Sequence, residues 1–247
     1  MRTKVWLWAV LGVCAVALLH MLIRVSPTSA QTGLEITVNS AVDADLCNSS
    51  TCTLRGVINF VNTYNNPYPN RPRIVFSQQL TVDLQSDLPT LSVPVEIDGK
   101  GSTLKPIDGF TGFIRAFSIF NTNDVVIKSL KITKMKALGS GGAFLITNSQ
   151  VTLENIWFEQ NRAELSTSLN SGQGGAIFAD KDSALTLRSN GTQHPHCVFS
   201  LNSAQTSGGA IYTEGRLIID EKGCLFRRNQ IDSGGKGGQF TRKTCLR

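Results

Sequence analysis

The sequence predicts an all-β fold, a right-handed parallel β-helix with an N-terminal capping helix. Three observations predict it. Gly-Gly-Ala recurs at 141–143, 174–176 and 208–210, intervals of 33 and 34 residues, and Gly237-Gly238 follows 29 residues later. Phe-x-x-Asn alternates with it, as Phe158 to Asn161, Phe199 to Asn202 and Phe226 to Asn229. Between the two motifs lie apolar pairs at period two: Val151 and Leu153, Leu185 and Leu187, Leu217 and Ile219. Period two marks a strand with one buried face. Short strands in a repeat of about 30 residues cannot bury that face alone, so successive copies must stack.

Taken in order, residues 1–30 read as a signal peptide or N-terminal membrane anchor. Arg2 and Lys4 precede a nearly continuous apolar run from Val5 to Ile23, and Thr28-Ser29-Ala30 offers small residues for cleavage. The run is close to the ~20 residues that span a bilayer, so removal and retention both remain open. Either way the body leaves the cytoplasm, secreted or held at the cell surface. Any membrane contact is expected only through this segment, if it is uncleaved.

Residues 31–110 form the expected N-terminal cap and first coils. Leu34 to Val38 and Arg73 to Phe76 read as strands. Leu54, Val57, Ile58 and Val61 have the spacing of one amphipathic helix, with Thr53 as its N-cap. Laid across the first coil, that helix would cover strand edges otherwise open to association. Val93 to Ile97 followed by Asp98-Gly99-Lys100-Gly101 reads as a strand and turn entering the coils. Cys47 and Cys52 bracket a polar turn short enough for a disulfide in an exported protein.

Residues 111–240 hold the β-helix repeats, and 241–247 are an irregular basic tail. Stacking places Phe158, Phe199 and Phe226 in one interior column and Asn161, Asn202 and Asn229 at a shared bend. Asn suits a bend because it tolerates left-handed backbone angles and its amide can bond the Asn of the next copy. Gly142, Gly175 and Gly209 give the backbone a corner without a Cβ. Cys197 and Cys224 align with Ile156 and should face inward, either as small apolar side chains or joined between copies. Cys245 is the expected free thiol. The chain stops soon after a fresh Gly-Gly, as expected of a truncated member of a longer family.

The charge balance excludes some functions. The net charge is +6, but Arg2, Lys4 and Arg24 supply +3 with no acid in the first thirty residues, leaving about +3. With no basic stripe or aromatic interleaving, nucleic acid is an unlikely partner on chemical grounds. Candidates for chemistry are sparse. Glu154 and Asp220 fall at equivalent positions two copies apart; Asp180 and Asp182 share a turn; His194-Pro195-His196 lacks a neighbouring carboxylate. All read more simply as solvated turns. No catalytic residue, metal or cofactor is expected.

Cys52-Thr53-Leu54-Arg55-Gly56-Val57-Ile58, with Asn62 after it and Ile97-Asp98-Gly99 further on, resembles the CSLREA domain. That family usually has Glu where Gly56 stands. The Gly-Gly-Ala and Phe-x-x-Asn repeats are similar to those of the chlamydial polymorphic outer membrane proteins. Together the resemblances cover about residues 36–240. They imply a pectin-lyase-like β-helix on an exported or outer-membrane surface, and adhesion for the second family. The function expected is a non-catalytic, adhesin-like binding protein whose partner is an unknown surface or matrix ligand, carbohydrate among the candidates. The alternative is a polysaccharide lyase or glycoside hydrolase on the same scaffold.

Overall fold

The computed structural model describes residues 33–64, 70–167, 171–190, 197–220, 222–232 and 240–242. Their secondary structure is short β-strands with one α-helix, α1 (Leu54–Thr63). Every pairing between these strands is parallel, and each strand pairs with its equivalent in the next copy of the repeat.

The register makes the apolar columns explicit. Ile36, Ile74, Ile97, Ile127, Leu153, Leu187 and Ile219 follow one another across seven strands. A second column runs Val82, Leu104, Ile132, Phe158, Phe199 and Phe226. A third, in another sheet, runs Phe117, Phe144, Ile177 and Ile211. A four-stranded sheet stacks Ala137, Ala163 and Ala204. Columns of different sheets meet inside: the Phe144 and Phe158 rings lie edge to face at 5.2 Å. These side chains are buried through the middle copies, while Ile36 in the first and Phe226 in the last are only partly covered and Ile219 is exposed.

The repeat begins earlier than its motifs. Strands Arg73–Phe76 and Thr81–Leu84 pair with Val95–Pro106, which pairs with Val125–Thr133. Thr81–Leu84 is absent from the sequence reading, and the strand expected at 93–97 continues to Pro106. Both long strands are two repeat strands run together. The register breaks between Asp98 and Ser102, where Gly99, Lys100 and Gly101 stand opposite Ser129 alone.

Helix α1 begins at Thr53, whose hydroxyl accepts from the Gly56 backbone N–H at 3.1 Å. It buries Leu54, Val57, Ile58 and Val61 and ends before Tyr64. Among the described residues no helix is long and apolar enough to cross a membrane. The leader, His194, His196, Gly237-Gly238 and Cys245 lie outside the described residues.

Candidate functional site

The structure brings the repeat residues together as columns. The Phe158 and Phe199 rings stack at 5.0 Å, and Phe199 and Phe226 at 4.8 Å. Asn202 Oδ1 accepts from the backbone N–H of Asn161 at 3.0 Å and from its Nδ2 at 2.9 Å. Asn229 does the same for Asn202 at 3.0 and 2.9 Å. Each amide also donates to a carbonyl in the copy before: Asn161 to Ile132, Asn202 to Phe158, Asn229 to Phe199. A buried amide is costly unless its bonds are made, and here each is made to the next copy.

The backbone reason given for these asparagines needs correction. The left-handed residue is the one before each: Gln160, Leu201 and Arg228 have φ of 57°, 57° and 52°, and Lys134 has 59° in the earlier copy. Asn is required for its amide alone. At the other corner Gly141, Gly174 and Gly208 take positive φ. A Cβ on Gly142 or Gly175 would strike the backbone carbonyl of the next copy. That close approach lets the Gly142 N–H reach Gly174 O at 3.1 Å and the Gly175 N–H reach Gly208 O at 3.0 Å.

Cys197 and Cys224 are joined in a disulfide between adjacent copies, Cα atoms 4.7 Å apart, so the reading of two separate buried thiols is replaced. Cys47 and Cys52 are joined at a Cα separation of 3.9 Å. The loop closed by the second bridge folds onto α1. The Leu46 backbone passes where a Gly56 Cβ would lie, so Gly56 is needed for this contact and is more than a lost carboxylate. Arg55 clamps the same region, with a bidentate pair to Asp43 at 2.7 and 2.9 Å and bonds to the Asp87 and Ser86 carbonyls.

The most perturbed acid is Glu96, which the sequence did not single out. Burial alone would raise its pKa. Hydrogen bonds from Lys128 at 2.8 Å, Arg71 at 3.0 Å and Arg73 at 3.3 Å outweigh that and lower it from 4.5 to about 2. Arg71 also pairs with Asp124, and Arg73 with Glu35 at 2.6 Å. The group is a charge network staking neighbouring copies together. It has the form of a tie between strands, without an acid poised for proton transfer.

Of the carboxylates considered for chemistry, Asp180, Asp182 and Asp220 are committed to backbone, hydroxyl or ammonium donors. Asp220 accepts from the Ser189 N–H at 2.7 Å and the Gly223 N–H at 3.2 Å. Asp180 accepts from the Asn148 N–H and the Ser183 hydroxyl. Asp182 pairs with Lys181 at 2.6 Å. Glu154 lies in register with Arg188. Among the described residues no three of His, Cys, Asp or Glu come together as metal ligands.

One open groove of about 640 Å³ crosses four successive copies, lined among others by Gln79, Lys100, Thr103, Lys131, Asn155 and Trp157. Lys100, Ser129 and Asn155 each turn the chain with positive φ, so the same bend recurs at its floor. The Ile97-Asp98-Gly99 motif lies just before the lining residues Lys100 and Gly101 and shapes their bulge. Asp98 Oδ1 accepts from the Lys100 N–H at 3.1 Å, holding the three-residue bulge, while Gly99 leaves room for Leu130. Gln79 Nε2 then donates to Gly101 O at 2.9 Å. Bulges often re-aim side chains beside binding sites.

These features define the class first: an all-β chain of parallel, register-matched repeats with one helix. Within it, residues 196–214 match the Chlamydia polymorphic membrane protein repeat. The matched stretch holds Phe199 to Asn202 and Gly208-Gly209-Ala210-Ile211, the two motifs whose columns are described above. No curated protein and no solved structure matches the chain.

Proposed function

We propose that this chain is an exported, cell-surface binding protein of adhesin type, built as a right-handed parallel β-helix. In this reading residues 31–110 are a CSLREA-like N-terminal cap and first coils, 111–240 are the repeats, and 1–30 direct export. One observation carries it: like residues stack on like across consecutive copies, with Asn161, Asn202 and Asn229 bonded in a buried ladder. Parallel neighbours in one sheet need crossovers, and crossovers are right-handed in nearly all proteins. The third and second columns touching through Phe144 and Phe158 supports an enclosed interior.

Export fits the leader, the two disulfides and the similarity of residues 196–214 to a membrane-protein repeat. A non-catalytic role fits Asp180 and Asp220 being spent on backbone and hydroxyl donors. An antibody against the repeats should label intact producing cells; labelling only after lysis would overturn the surface role. New reducing or unsaturated ends on incubation with acidic and neutral polysaccharides would overturn the non-catalytic role.

A further inference from the structure

We infer that the groove lined by Trp157 and Lys131 binds an acidic saccharide, laid along the stacking direction across four copies of the repeat. The inference rests on the surface-binding reading and adds to it a site and a ligand class. The groove volume of about 640 Å³ lies within the range of small-molecule sites. Trp157 is 36% exposed, a large aromatic surface on the outer face of its sheet. Its neighbours in register are Lys131 and Val198, and the Lys131 ammonium lies 5.4 Å from the indole centroid.

The lining chemistry selects the ligand. A flat apolar ring suits the C–H face of a pyranose. Gln79, through its amide oxygen and remaining N–H, and the Thr103 hydroxyl offer both hydrogen-bond senses for sugar hydroxyls, while the Asn155 amide is bonded at both ends to the Asn190 backbone. The described lining residues include two ammonium groups, Lys100 and Lys131, and no carboxylate. Asp98 and Glu159 hold these ammoniums in place at 3.2 and 2.6 Å while standing outside the groove lining. Each ammonium has three N–H donors and keeps some beyond its carboxylate partner, so the groove side offers charged donors that fit a uronate carboxylate or a sulfate ester. The four copies that the groove crosses lie roughly 4.8 Å apart, so it is about 14 Å long. That suits a segment of a linear glycan better than a single sugar.

Trp157 can report on itself. The only other tryptophans are Trp6 and Trp8, so the full chain carrying Trp6→Phe and Trp8→Phe has one indole. Titrating it with polygalacturonate and heparin oligosaccharides should shift or quench its fluorescence, with affinity falling as salt rises. Neutral dextran oligosaccharides of equal length should give at least tenfold weaker binding. In the wild-type chain, assayed by calorimetry, Trp157→Ala and the double variant Lys100→Gln/Lys131→Gln should each weaken binding at least tenfold, with thermal midpoints near wild type. Acidic glycan binding that survives both variants would sink the groove and leave the surface role standing. Absence of binding to any acidic glycan would sink the groove equally. Equal affinity for neutral glycans would overturn the acidic assignment. Failure of intact cells to label with antibody would instead sink the surface reading.

Discussion

The N-terminal copies, residues 73–106, and the later copies, residues 150–231, reach the same parallel pairing by different means. In the first region the interior is mostly aliphatic, with Ile74, Ile97, Val82 and Leu104 fully or almost fully buried and Phe76 the one aromatic among them. The copies are tied from outside by Glu96 with Arg71, Arg73 and Lys128. In the second region ion pairs such as Arg162 with Asp232 and Lys131 with Glu159 persist outside, and further ties lie inside. Phe158, Phe199 and Phe226 stack, the asparagine amides run from copy to copy, and one disulfide crosses between copies. External charge ties answer to pH and salt; internal amide ties answer to neither. The fold is one scheme with two sets of fasteners.

The sharpest way to break this comparison is at the middle of the ladder. Asn202→Ala strips acceptors from the Asn161 N–H and a donor from the Phe158 carbonyl, both buried. The expected loss is about 3–5 kcal/mol in denaturant unfolding, since unsatisfied buried groups cost about 1–3 kcal/mol each. The Asn161 amide should also lose its protection from hydrogen exchange. A loss under ~1 kcal/mol would place the fastening of this region elsewhere.

The disulfides come next. Closing a 27-residue span should stabilise by about 3–4 kcal/mol, and closing a 5-residue span by about 2 kcal/mol. Replacing both Cys197 and Cys224 by Ala should thus lower stability more than replacing Cys47 and Cys52, and the larger loss should fall in the later copies. Equal losses would contradict the loop-length account.

Acid should separate the regions in the opposite sense. Glu96 has a folded pKa of about 2 against 4.5. A depressed carboxylate contributes stability that is fully present above its unfolded pKa and lost as pH falls through its folded value. Between about pH 5 and pH 2 that contribution, on the order of 2–3 kcal/mol, should disappear. Glu96→Gln should remove this part of the pH dependence. Hydrogen exchange at pH 3 should show residues 73–98 opening first, with the asparagine ladder still closed. The smallest effect expected is that of the exposed pair of Lys181 and Asp182, where Lys181→Ala should leave the unfolding midpoint indistinguishable from wild type.

The same contrast explains what the sequence let one read. Phe158, Phe199, Phe226 and their asparagines were legible because stacked columns demand the same unusual residue in each copy. The copies at 73–106 were legible only in part, as strands at Arg73 to Phe76 and Val93 to Ile97, since any aliphatic residue fills an interior position and no Gly-Gly or Asn marks the corner. Thr81–Leu84 was missed for that reason. The bend before each asparagine was hidden because Lys134, Gln160, Leu201 and Arg228 share a backbone angle and no side-chain chemistry. Glu96 and its partners, and Gln79 with Lys100, Lys131 and Trp157, are brought together only by stacking. Spacing along the chain carries no trace of either group until the register is known. The Cys197 to Cys224 bridge was visible as a shared column, with bond and free thiols equally compatible with it.

Everything turns on superposition of successive copies. A crystal structure of the full chain tests this most directly. It should show Asn161, Asn202 and Asn229 in one file about 4.8 Å apart, each amide oxygen bonded to the asparagine before it. Asparagines dispersed over different faces, or strands Trp157–Glu159 and Val198–Ser200 meeting antiparallel, would contradict the account.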